Sequence, residues 1–414
     1  MLKEFWRWKW ISLALAIVLM STVVATPSMQ AQTETLLHSF RNWPDGANPQ
    51  AGLIRDAAGN FYGTTYYGGM KHGCTGHGCG VVFKVGKAGK ETVLYTFTGP
   101  DGGLPMGGLV RDKPGNLYGT TSAGGASDLG TVFKLDPSGH ETVLHSFTGP
   151  PDGENPFAGL VLDPRGNLYG TTEGGGIGTC CGTVFKVDTT GKETVVYTFT
   201  GGADGGGPFG GLIRDKASNL YGTTFGGGTS DLGIVFKVTP NGTETVLYSF
   251  VGGTDGQFPA AGVIMDSAGN LYGTTKNGGN PTVCNGFGCG TVFKLAKNGT
   301  ETVLYSFSGG ADGSAPLAGV IRDTAGNLYG TTVGGGNLSC GSGSGCGTVF
   351  KVDTTGKETV LHSFAGNHGD PRDGDEPSAG LTRDAAGNLY GTTSSGGKYQ
   401  NFNFNVGTVF KLSP

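Results

Sequence analysis

Eight cysteines are the residues of this sequence whose spacing most clearly predicts a chemistry. They occur as four pairs, each confined to one short segment, and one pair is adjacent in the chain. An even number of cysteines, paired in this way, predicts local disulfides formed in an oxidising compartment. For the first pair, the alternative is a metal site that combines Cys74 and Cys79 with His77. The predicted disulfides are Cys74–Cys79, Cys180–Cys181, Cys284–Cys289 and Cys340–Cys346.

An aspartate recurs seven times in the pattern Asp-Gly-x-x-Pro. The pattern predicts a turn in which Asp accepts hydrogen bonds from nearby N–H groups, Gly adopts a positive φ and Pro starts the next strand. The alternative is a ring of carboxylates at a channel mouth that binds Ca²⁺. Calcium is the one cofactor that the sequence leaves open, and no other is predicted. The aspartates are Asp45, Asp101, Asp152, Asp204, Asp255, Asp312 and Asp373.

Aromatic residues that interrupt the repetition of the chain are candidates for ligand contact. Exposed rings stack on sugar faces or anchor a protein partner. Two of them, Phe157 and Phe209, follow a proline and could instead plug a channel entrance. The aromatic candidates for ligand contact are Trp43, Tyr66, Tyr67, Phe157, Phe209, Phe225 and Phe287, and the same loops also carry Phe258, Tyr399, Phe402 and Phe404.

One segment, residues 365–377, concentrates charged side chains. Such a group could supply an acid–base pair or ligands for a cation. A solvated, charged insertion is the simpler interpretation. The candidate residues in this segment are His368, Asp370, Arg372 and Asp375.

Three motifs, each present seven times, show that the chain is built from repeats of roughly 50–57 residues, a period typical of propellers and solenoids. The motif Glu-Thr-Val-Leu-Tyr-Ser-Phe, or a variant, starts at Glu34, Glu91, Glu141, Glu193, Glu244, Glu301 and Glu358. The motif Asn-Leu-Tyr-Gly-Thr-Thr carries Tyr62, Tyr118, Tyr169, Tyr221, Tyr272, Tyr329 and Tyr390. The motif Gly-Thr-Val-Phe-Lys carries Phe83, Phe133, Phe185, Phe236, Phe293, Phe350 and Phe410.

Each repeat contains four runs of β-branched and aromatic residues separated by turn residues, which predicts an all-β fold. The first run is Ala-Gly-Leu-Ile-Arg, as in residues 51–55, and the other three are the motifs above. The chain begins with a fourth run, residues 34–40, and ends with a first, second and third run in residues 379–412. Joining these ends leaves no exposed sheet edge. The sequence therefore predicts a seven-bladed β-propeller of four-stranded antiparallel blades, closed by the N-terminal strand.

The N-terminal segment predicts export rather than fold. Basic residues precede an apolar run from Ile11 to Val24, which is shorter than the roughly 20 residues of a membrane span. We expect residues 1–31 to be a signal peptide, with an uncleaved anchor as the alternative, and residues 32–414 to be a single propeller. The predicted outer strand of blade seven is 34–40, blades one to six are 47–97, 103–147, 154–199, 206–250, 257–307 and 314–364, and the rest of blade seven is 375–412.

Spacing within the repeats predicts one constant and one variable face. The connections between the first and second runs, and between the third and fourth, keep a constant length. The connections between the second and third runs, and between the fourth and first, vary and emerge together on the opposite rim of an up-and-down blade. Function usually lies on variable loops carried by a rigid scaffold. The candidate residues all belong to this variable face.

The three motifs resemble the GloVer (Gloeo/Verruco) tandem repeats of bacterial exported proteins, over nearly all of residues 34–412. The resemblance implies a cell-envelope protein, periplasmic, secreted or at the cell surface, often with a C-terminal surface anchor. The sequence ends at Pro414, just after its last predicted strand, so we expect no sorting tail. The family assigns no reaction to particular residues, so the resemblance implies no catalytic residue.

Charge and motif content argue against several classes of function. A net charge of −4 without a basic stripe excludes nucleic acid as a partner. No phosphate-binding loop or nucleophile elbow occurs in the sequence. After the N-terminal segment, no second apolar run predicts contact with a membrane.

We expect a monomeric, non-catalytic, extracytoplasmic binding module that recognises a glycan, or an envelope or extracellular protein, on its variable face. One alternative is a carbohydrate-active enzyme, a polysaccharide lyase or glycosidase, with its site over the central channel. Another is a structural cell-surface protein without a specific ligand. The fold does not choose among these, because propellers support many functions.

Overall fold

Four short strands form from each repeat because its β-branched and aromatic runs are separated by turns rich in glycine and aspartate. The computed structural model describes residues 32–74, 76–178, 180–366, 373–399 and 406–414. Its strands form seven four-stranded antiparallel sheets and one two-stranded sheet. The predicted all-β, seven-bladed propeller is confirmed.

The strands are numbered in chain order, and blades one to six each use four consecutive strands. Blades one to three contain β2 (Ile54–Arg55), β3 (Phe61–Thr65), β4 (Val81–Val85) and β5 (Glu91–Thr96); β6 (Val110–Arg111), β7 (Leu117–Thr121), β8 (Thr131–Leu135) and β9 (Glu141–Ser146); and β10 (Val161–Leu162), β11 (Leu168–Thr172), β12 (Thr183–Val187) and β13 (Glu193–Thr198). Blades four to six contain β14 (Ile213–Arg214), β15 (Leu220–Thr224), β16 (Ile234–Val238) and β17 (Glu244–Ser249); β18 (Ile264–Met265), β19 (Leu271–Thr275), β20 (Thr291–Leu295) and β21 (Glu301–Ser306); and β22 (Ile321–Arg322), β23 (Leu328–Thr332), β24 (Thr348–Val352) and β25 (Glu358–Ser363).

Blade seven combines strands from both ends of the described chain. Its sheet order is β27 (Thr382–Arg383), β28 (Leu389–Thr393), β30 (Thr408–Ser413) and β1 (Thr33–Ser39). The ladder between β1 and β30 is antiparallel and runs from Thr33 opposite Ser413 to Ser39 opposite Thr408. The N-terminal strand thus supplies the outer strand of the last blade, as predicted. The variable loops add a small sheet, β26 (Gly374–Asp375) with β29 (Ser395–Gly396), and two 3₁₀ turns at Cys284–Gly286 and Gly341–Gly343.

The first strand of each blade is shorter than the sequence predicts. Of the predicted run 51–55, only Ile54 and Arg55 join the ladder to the second strand. The glycine of each run lies close to a neighbouring blade, and a Cβ on Gly262 would lie 2.1 Å from the carbonyl oxygen of Gly211. The start of the run therefore packs backbone against backbone between blades. First strands line the central channel, where Leu109, Leu160 and Leu212 face one cavity.

Two phenylalanines from each blade form the core between blades. The Phe that follows each fourth strand packs edge-to-face on the third-strand Phe of the next blade, with ring centroids 5.0–5.3 Å apart. All of these side chains are fully buried, and burial of each contributes about 1.5–3 kcal/mol. We call this circle of seven Phe–Phe pairs, one at each contact between blades, the phenylalanine ring. The pairs are Phe40–Phe83, Phe97–Phe133, Phe147–Phe185, Phe199–Phe236, Phe250–Phe293, Phe307–Phe350 and Phe364–Phe410.

The hairpin between the first and second strands is built alike in every blade. In blade five, Asp266 accepts hydrogen bonds from the backbone and side-chain amides of Asn270, both at 2.9 Å, and from the Tyr272 hydroxyl at 3.0 Å. Burial alone would raise the pKa of Asp266, but these bonds outweigh it and lower the pKa to about 2. We call these seven hairpins the fixed rim. Their aspartates are Asp56, Asp112, Asp163, Asp215, Asp266, Asp323 and Asp384.

Residues Gln32–Pro414 form one compact unit. Among the described residues, no helix has the length and apolar character required to cross a bilayer. The predicted signal peptide, residues 1–31, lies outside the part of the chain that the structure describes.

Candidate functional site

A ring of backbone hydrogen bonds surrounds the channel entrance on the variable face. In each blade, the residue after Thr-Thr donates its N–H to the carbonyl of the residue before the loop proline, at 2.9–3.3 Å. Because the first strand lines the channel and follows this proline, the seven pairs encircle the entrance. We call these residues the collar. The pairs are Asn48–Tyr66, Leu104–Ser122, Asn155–Glu173, Gly207–Phe225, Phe258–Lys276, Ala315–Val333 and Glu376–Ser394.

The collar residue before the proline has a positive φ in every blade, between 52° and 63°. This conformation is uncommon for residues other than glycine. Of the seven residues at this collar position, only Gly207 is a glycine. Its N–H donates to a carbonyl of the preceding blade, and in four blades that carbonyl belongs to a cysteine, as in Leu104 to Cys79 at 2.9 Å. Hydrogen bonds on both sides therefore fix the collar backbone, and the cysteine-bearing loops help to position it.

Four phenylalanines form an aromatic ladder along the collar of blades three to five. Phe157 lies parallel to Phe209, with ring centroids 5.5 Å apart and an interplanar angle of 2°. Phe209 contacts Phe225 edge-on at 5.3 Å, and Phe225 stacks on Phe258 at 4.9 Å. All four rings are half-buried. The ladder joins three of the predicted candidates, Phe157, Phe209 and Phe225, with Phe258 into one partly exposed apolar surface.

The remaining aromatic candidates lie away from this ladder. Tyr66 contacts Tyr67 with ring centroids 4.5 Å apart, and Tyr67 contacts His77 at 5.6 Å. Trp43 is half-buried in the loop that leads into blade one. Phe287 is 62% exposed on a long loop of blade five. The structure therefore divides the predicted aromatic group into one continuous ladder and several separate rings.

Two charged residues lie on the collar in the blades between which the ladder runs. Glu173 lies on the collar of blade three, and its pKa is raised by burial and by the nearby Glu154 carboxylate. Lys276 lies on the collar of blade five, with its Nζ 6.0 Å from the Phe225 ring centroid. These two groups can offer a hydrogen-bond acceptor and a donor on either side of the apolar surface.

The acidic segment before blade seven is described only in part. Asp375 pairs through its backbone with Ser395, in the small sheet of β26 and β29. The neighbouring Glu376 carboxylate accepts hydrogen bonds from the hydroxyls of Ser394 and Ser395, at 3.3 and 3.2 Å. The candidates His368, Asp370 and Arg372, like Phe402 and Phe404, lie outside the described residues. The proposed acid–base group thus stays a prediction.

The four predicted disulfides are present, and the described residues include no free cysteine. Cys74 and Cys79 are bonded to each other, so their sulfurs are not available to the alternative metal site with His77. All four disulfides lie in the loops between the second and third strands. They indicate a protein that folds in an oxidising compartment.

Each aspartate of the Asp-Gly-x-x-Pro pattern accepts hydrogen bonds within its own loop, in agreement with the turn interpretation. Asp204 accepts from the Thr200 N–H and the Tyr197 hydroxyl, both at 2.9 Å. Within the described residues, no group of three potential metal ligands contains two of these aspartates. The structure therefore does not bring them together as a calcium ring there.

These aspartates instead face the glutamate that begins the fourth strand of the next blade. Six such glutamates have a pKa raised to about 7, chiefly by burial and also by the neighbouring aspartate. In each, the Oε1 atom is buried without a hydrogen-bond partner. We call each aspartate, its Tyr or His partner and the facing glutamate a junction cluster. The glutamates are Glu91, Glu141, Glu193, Glu244, Glu301 and Glu358.

The junction clusters were missed at the level of sequence because each is shared between two repeats. One signal was nevertheless present. The residue two positions before the last Phe of the fourth motif is Tyr in four repeats and His in three, namely His38, His145 and His362.

The repeat and the propeller together decide the family. The sequence matches the Gloeobacter/Verrucomicrobia repeat over residues 21–218 and 162–410. The chain belongs to the Gloeobacter/Verrucomicrobia repeat family. The resemblance drawn from the three motifs is thus confirmed. A comparison of this Gloeobacter/Verrucomicrobia repeat protein with curated proteins gives no match.

Solved structures similar to the Gloeobacter/Verrucomicrobia repeat protein show its fold at low identity. A fungal alcohol oxidase of the AA5 family, in complex with copper, is 15% identical with a TM-score of 0.57, over 93% of this chain and 76% of that chain. The extracellular domain of a one-component system from B. thetaiotaomicron is 12% identical with a TM-score of 0.53, over 91% of this chain and 40% of that chain. A gluconolactonase from Xanthomonas campestris is 12% identical with a TM-score of 0.42, over 92% and 89%. At such identities the first two matches bear on the fold alone.

Proposed function

We propose that this protein is a non-catalytic, extracytoplasmic binding module that recognises a glycan at its collar. The observation that carries the proposal is the aromatic ladder of Phe157, Phe209, Phe225 and Phe258, which breaks the seven-fold symmetry at the channel entrance. Partly exposed aromatic faces suit the apolar faces of sugar rings, and the flanking Glu173 and Lys276 suit their hydroxyls.

The collar is ordered before any ligand arrives. Its backbone is bonded on both sides, and the rings of the ladder hold one another in place. Side chains and loops that are already ordered lose less conformational entropy on binding. The disulfide-bearing loops contribute to the same order, which gives the cysteines a role in recognition as well as in stability.

The charge of the variable face narrows the ligand class to neutral or basic glycans. Acidic side chains outnumber basic ones in its described loops, so the face repels an anionic chain. The cations are Arg41, Lys71, Lys276 and Lys398. The acids are Asp45, Asp101, Asp128, Asp152, Glu154, Glu173, Asp204, Asp231, Asp255, Asp312, Asp373, Asp375 and Glu376.

A glycan array, followed by calorimetric titration of the glycan it selects, tests the proposal on the purified chain with and without Ca²⁺. We expect Phe209→Ala to weaken binding by roughly 5- to 150-fold, since loss of one stacked ring costs on the order of 1–3 kcal/mol. Leu317→Ala changes the same repeat position in blade six and is the matched control. It should leave the affinity within about two-fold.

Several outcomes would contradict the proposal. A selected glycan that binds Phe209→Ala and Leu317→Ala equally well would move the site away from the ladder. Shortened or unsaturated products would establish the carbohydrate-active enzyme instead. Silence on the array, with capture of an envelope protein that Phe209→Ala abolishes, would assign the ladder to a protein partner, and silence in both experiments would favour a structural role.

A further inference from the structure

Junction clusters of two kinds occur around the propeller. At four junctions a tyrosine hydroxyl donates to the loop aspartate, for example Tyr197 to Asp204 at 2.9 Å. At the others a histidine takes the place of the tyrosine, for example His145, whose Nε2 lies 3.0 Å from Asp152 Oδ1. The exchange replaces a hydroxyl by a ring nitrogen that can bind a metal ion. The facing glutamate is common to both kinds.

Two of the histidine junctions bring three different metal-binding groups together. One ligand atom from each of His145, Asp152 and Glu193 lies within 4.8 Å of the other two. The same holds for His38, Asp45 and Glu91. The third histidine, His362, lies 3.4 Å from Asp373, but this pair belongs to no such three-residue group within the described residues.

The His145 cluster contains an acceptor that its own contacts leave unused. Glu193 Oε1 is buried and has no hydrogen-bond partner, while Asp152 already accepts from the Thr148 N–H and lies 3.0 Å from His145 Nε2. The side chains of His145 and Asp152 are only 18% and 14% exposed. Two carboxylates that meet in such a place repel each other unless a proton or a cation lies between them. A bound divalent cation would satisfy the unused oxygen and remove this repulsion.

We propose that His145, Asp152 and Glu193 form a binding site for a divalent transition-metal ion of the Zn²⁺ type between blades two and three. One imidazole nitrogen and two carboxylates, with a fourth position for water, match the ligands and number that Zn²⁺ prefers. Calcium prefers six to eight oxygen ligands and matches less well. Within the described residues all cysteines are in disulfides, so no thiolate competes for the ion.

The His38 cluster is a weaker copy of this site. Arg41 Nε lies 3.1 Å from Asp45 Oδ2, so a guanidinium already neutralises that carboxylate. No corresponding ion pair of Asp152 with Arg or Lys occurs among the described residues. We therefore expect the ion to bind first at His145.

Equilibrium dialysis of the full chain against Zn²⁺, with metal analysis and thermal unfolding, tests the site. His145→Tyr places at this junction the residue that four other junctions already use, so the fold should tolerate it. We expect this variant to lose the most tightly bound equivalent of Zn²⁺ and the rise in Tm that the ion produces. His72→Tyr, on an exposed loop, is the control and should bind as the natural chain does.

The reciprocal change provides a gain-of-function arm. Tyr197→His puts a histidine beside Asp204, which in turn faces Glu244. Asp204 accepts a hydrogen bond from the Thr200 N–H, just as Asp152 accepts one from the Thr148 N–H. We expect one additional equivalent of Zn²⁺. If folded natural chain binds no Zn²⁺, or if His145→Tyr retains the tightest equivalent, the site does not exist and the cluster is a hydrogen-bonded, proton-sharing contact. If Tyr197→His folds but gains no ion, the assigned ligand set is wrong.

Discussion

The fixed rim and the collar are two ends of the same strands, yet they use the repeat in opposite ways. On the fixed rim, Asp, Asn and Tyr form one hydrogen-bond network that recurs in all seven blades, as with Asp266, Asn270 and Tyr272. On the collar, one backbone geometry recurs, but its side chains range from Gly207 to Phe258 and Glu376.

This difference shows how a repeat protein separates stability from recognition. Side chains that satisfy one another within each blade cannot vary without cost, so they define the scaffold. Collar residues are held by their backbone N–H and C=O groups, so a side chain can change while its position is kept. Aromatic residues accumulate on one arc of the collar for this reason, without disturbing the blades beneath.

The largest effect on stability is expected in the phenylalanine ring, the feature that is most alike in all blades. Phe236 is fully buried and packs edge-to-face on Phe199 with ring centroids 5.0 Å apart. Phe236→Ala should lower the free energy of unfolding by about 3–5 kcal/mol, since it leaves a cavity between two blades. Urea unfolding would measure this, with Val246→Ala, at a partly exposed site, as the control. A loss below about 1 kcal/mol would show that the blades do not depend on the ring.

A smaller loss in the free energy of unfolding is expected for a substitution on the fixed rim. Asp266→Ala removes the acceptor of four hydrogen bonds, which come from the Ala268 N–H, the backbone and side-chain amides of Asn270 and the Tyr272 hydroxyl. We expect a loss of about 1–3 kcal/mol. Asp128 lies in a variable loop and accepts one hydrogen bond, from the Gly124 N–H at 2.7 Å. Asp128→Asn suits the positive φ of 57° at this position and keeps an acceptor oxygen, so it should cost less than about 1 kcal/mol. Equal losses in thermal or urea unfolding would remove the distinction between the two faces.

The smallest effect concerns pH and one tyrosine junction. Burial, together with the nearby Asp255, raises the pKa of Glu301 to about 7, from an ordinary value of 4.5. The protonated form is therefore favoured on folding, so the contribution of Glu301 is complete below about pH 4.5 and is lost as the pH rises through 7. After solvent screening, we expect about 1 kcal/mol from this half-exposed group.

Unfolding of Glu301→Gln at several pH values between 5 and 8 measures that contribution. The variant should lose less stability than the natural chain as the pH rises, because its amide does not ionise. Glu154→Gln, on the variable face, is the control and should follow the natural chain. If Glu301→Gln shows the same pH profile as the control, Glu301 is ionised in the folded protein throughout this range.

Much of the fold could be predicted because three strand motifs recur at a regular spacing in the sequence. The runs around Tyr272 and Phe236 have the alternation and turn residues of strands, and the unpaired run at residues 34–40 requires a partner at the other end of the chain. The disulfides followed from the confinement of each cysteine pair to one loop. Only the first strand was predicted too long, because the spacing cannot show that Gly262 packs on the backbone of the preceding blade.

The candidate sites could be predicted only as members of a face. Periodicity places Phe157, Phe209 and Phe225 on the variable side, but their contact depends on how far adjacent blades rotate about the channel. The His145 cluster depends on the same rotation, since Glu193 begins a strand in the following repeat. Distances between repeats are not encoded in any single repeat, so these contacts could be found only in the structure.

The pairing of β1 with β30 has a mechanical consequence. The strands are antiparallel and Thr33 lies opposite Ser413, so the two ends of the described chain are neighbours at one end of this ladder. A force that pulls these two ends apart would peel β1 from β30 and break the hydrogen bonds of this ladder one after another rather than all at once. The propeller is therefore weakest against tension between Thr33 and Ser413, whereas a load spread over its loops would be shared by seven blades.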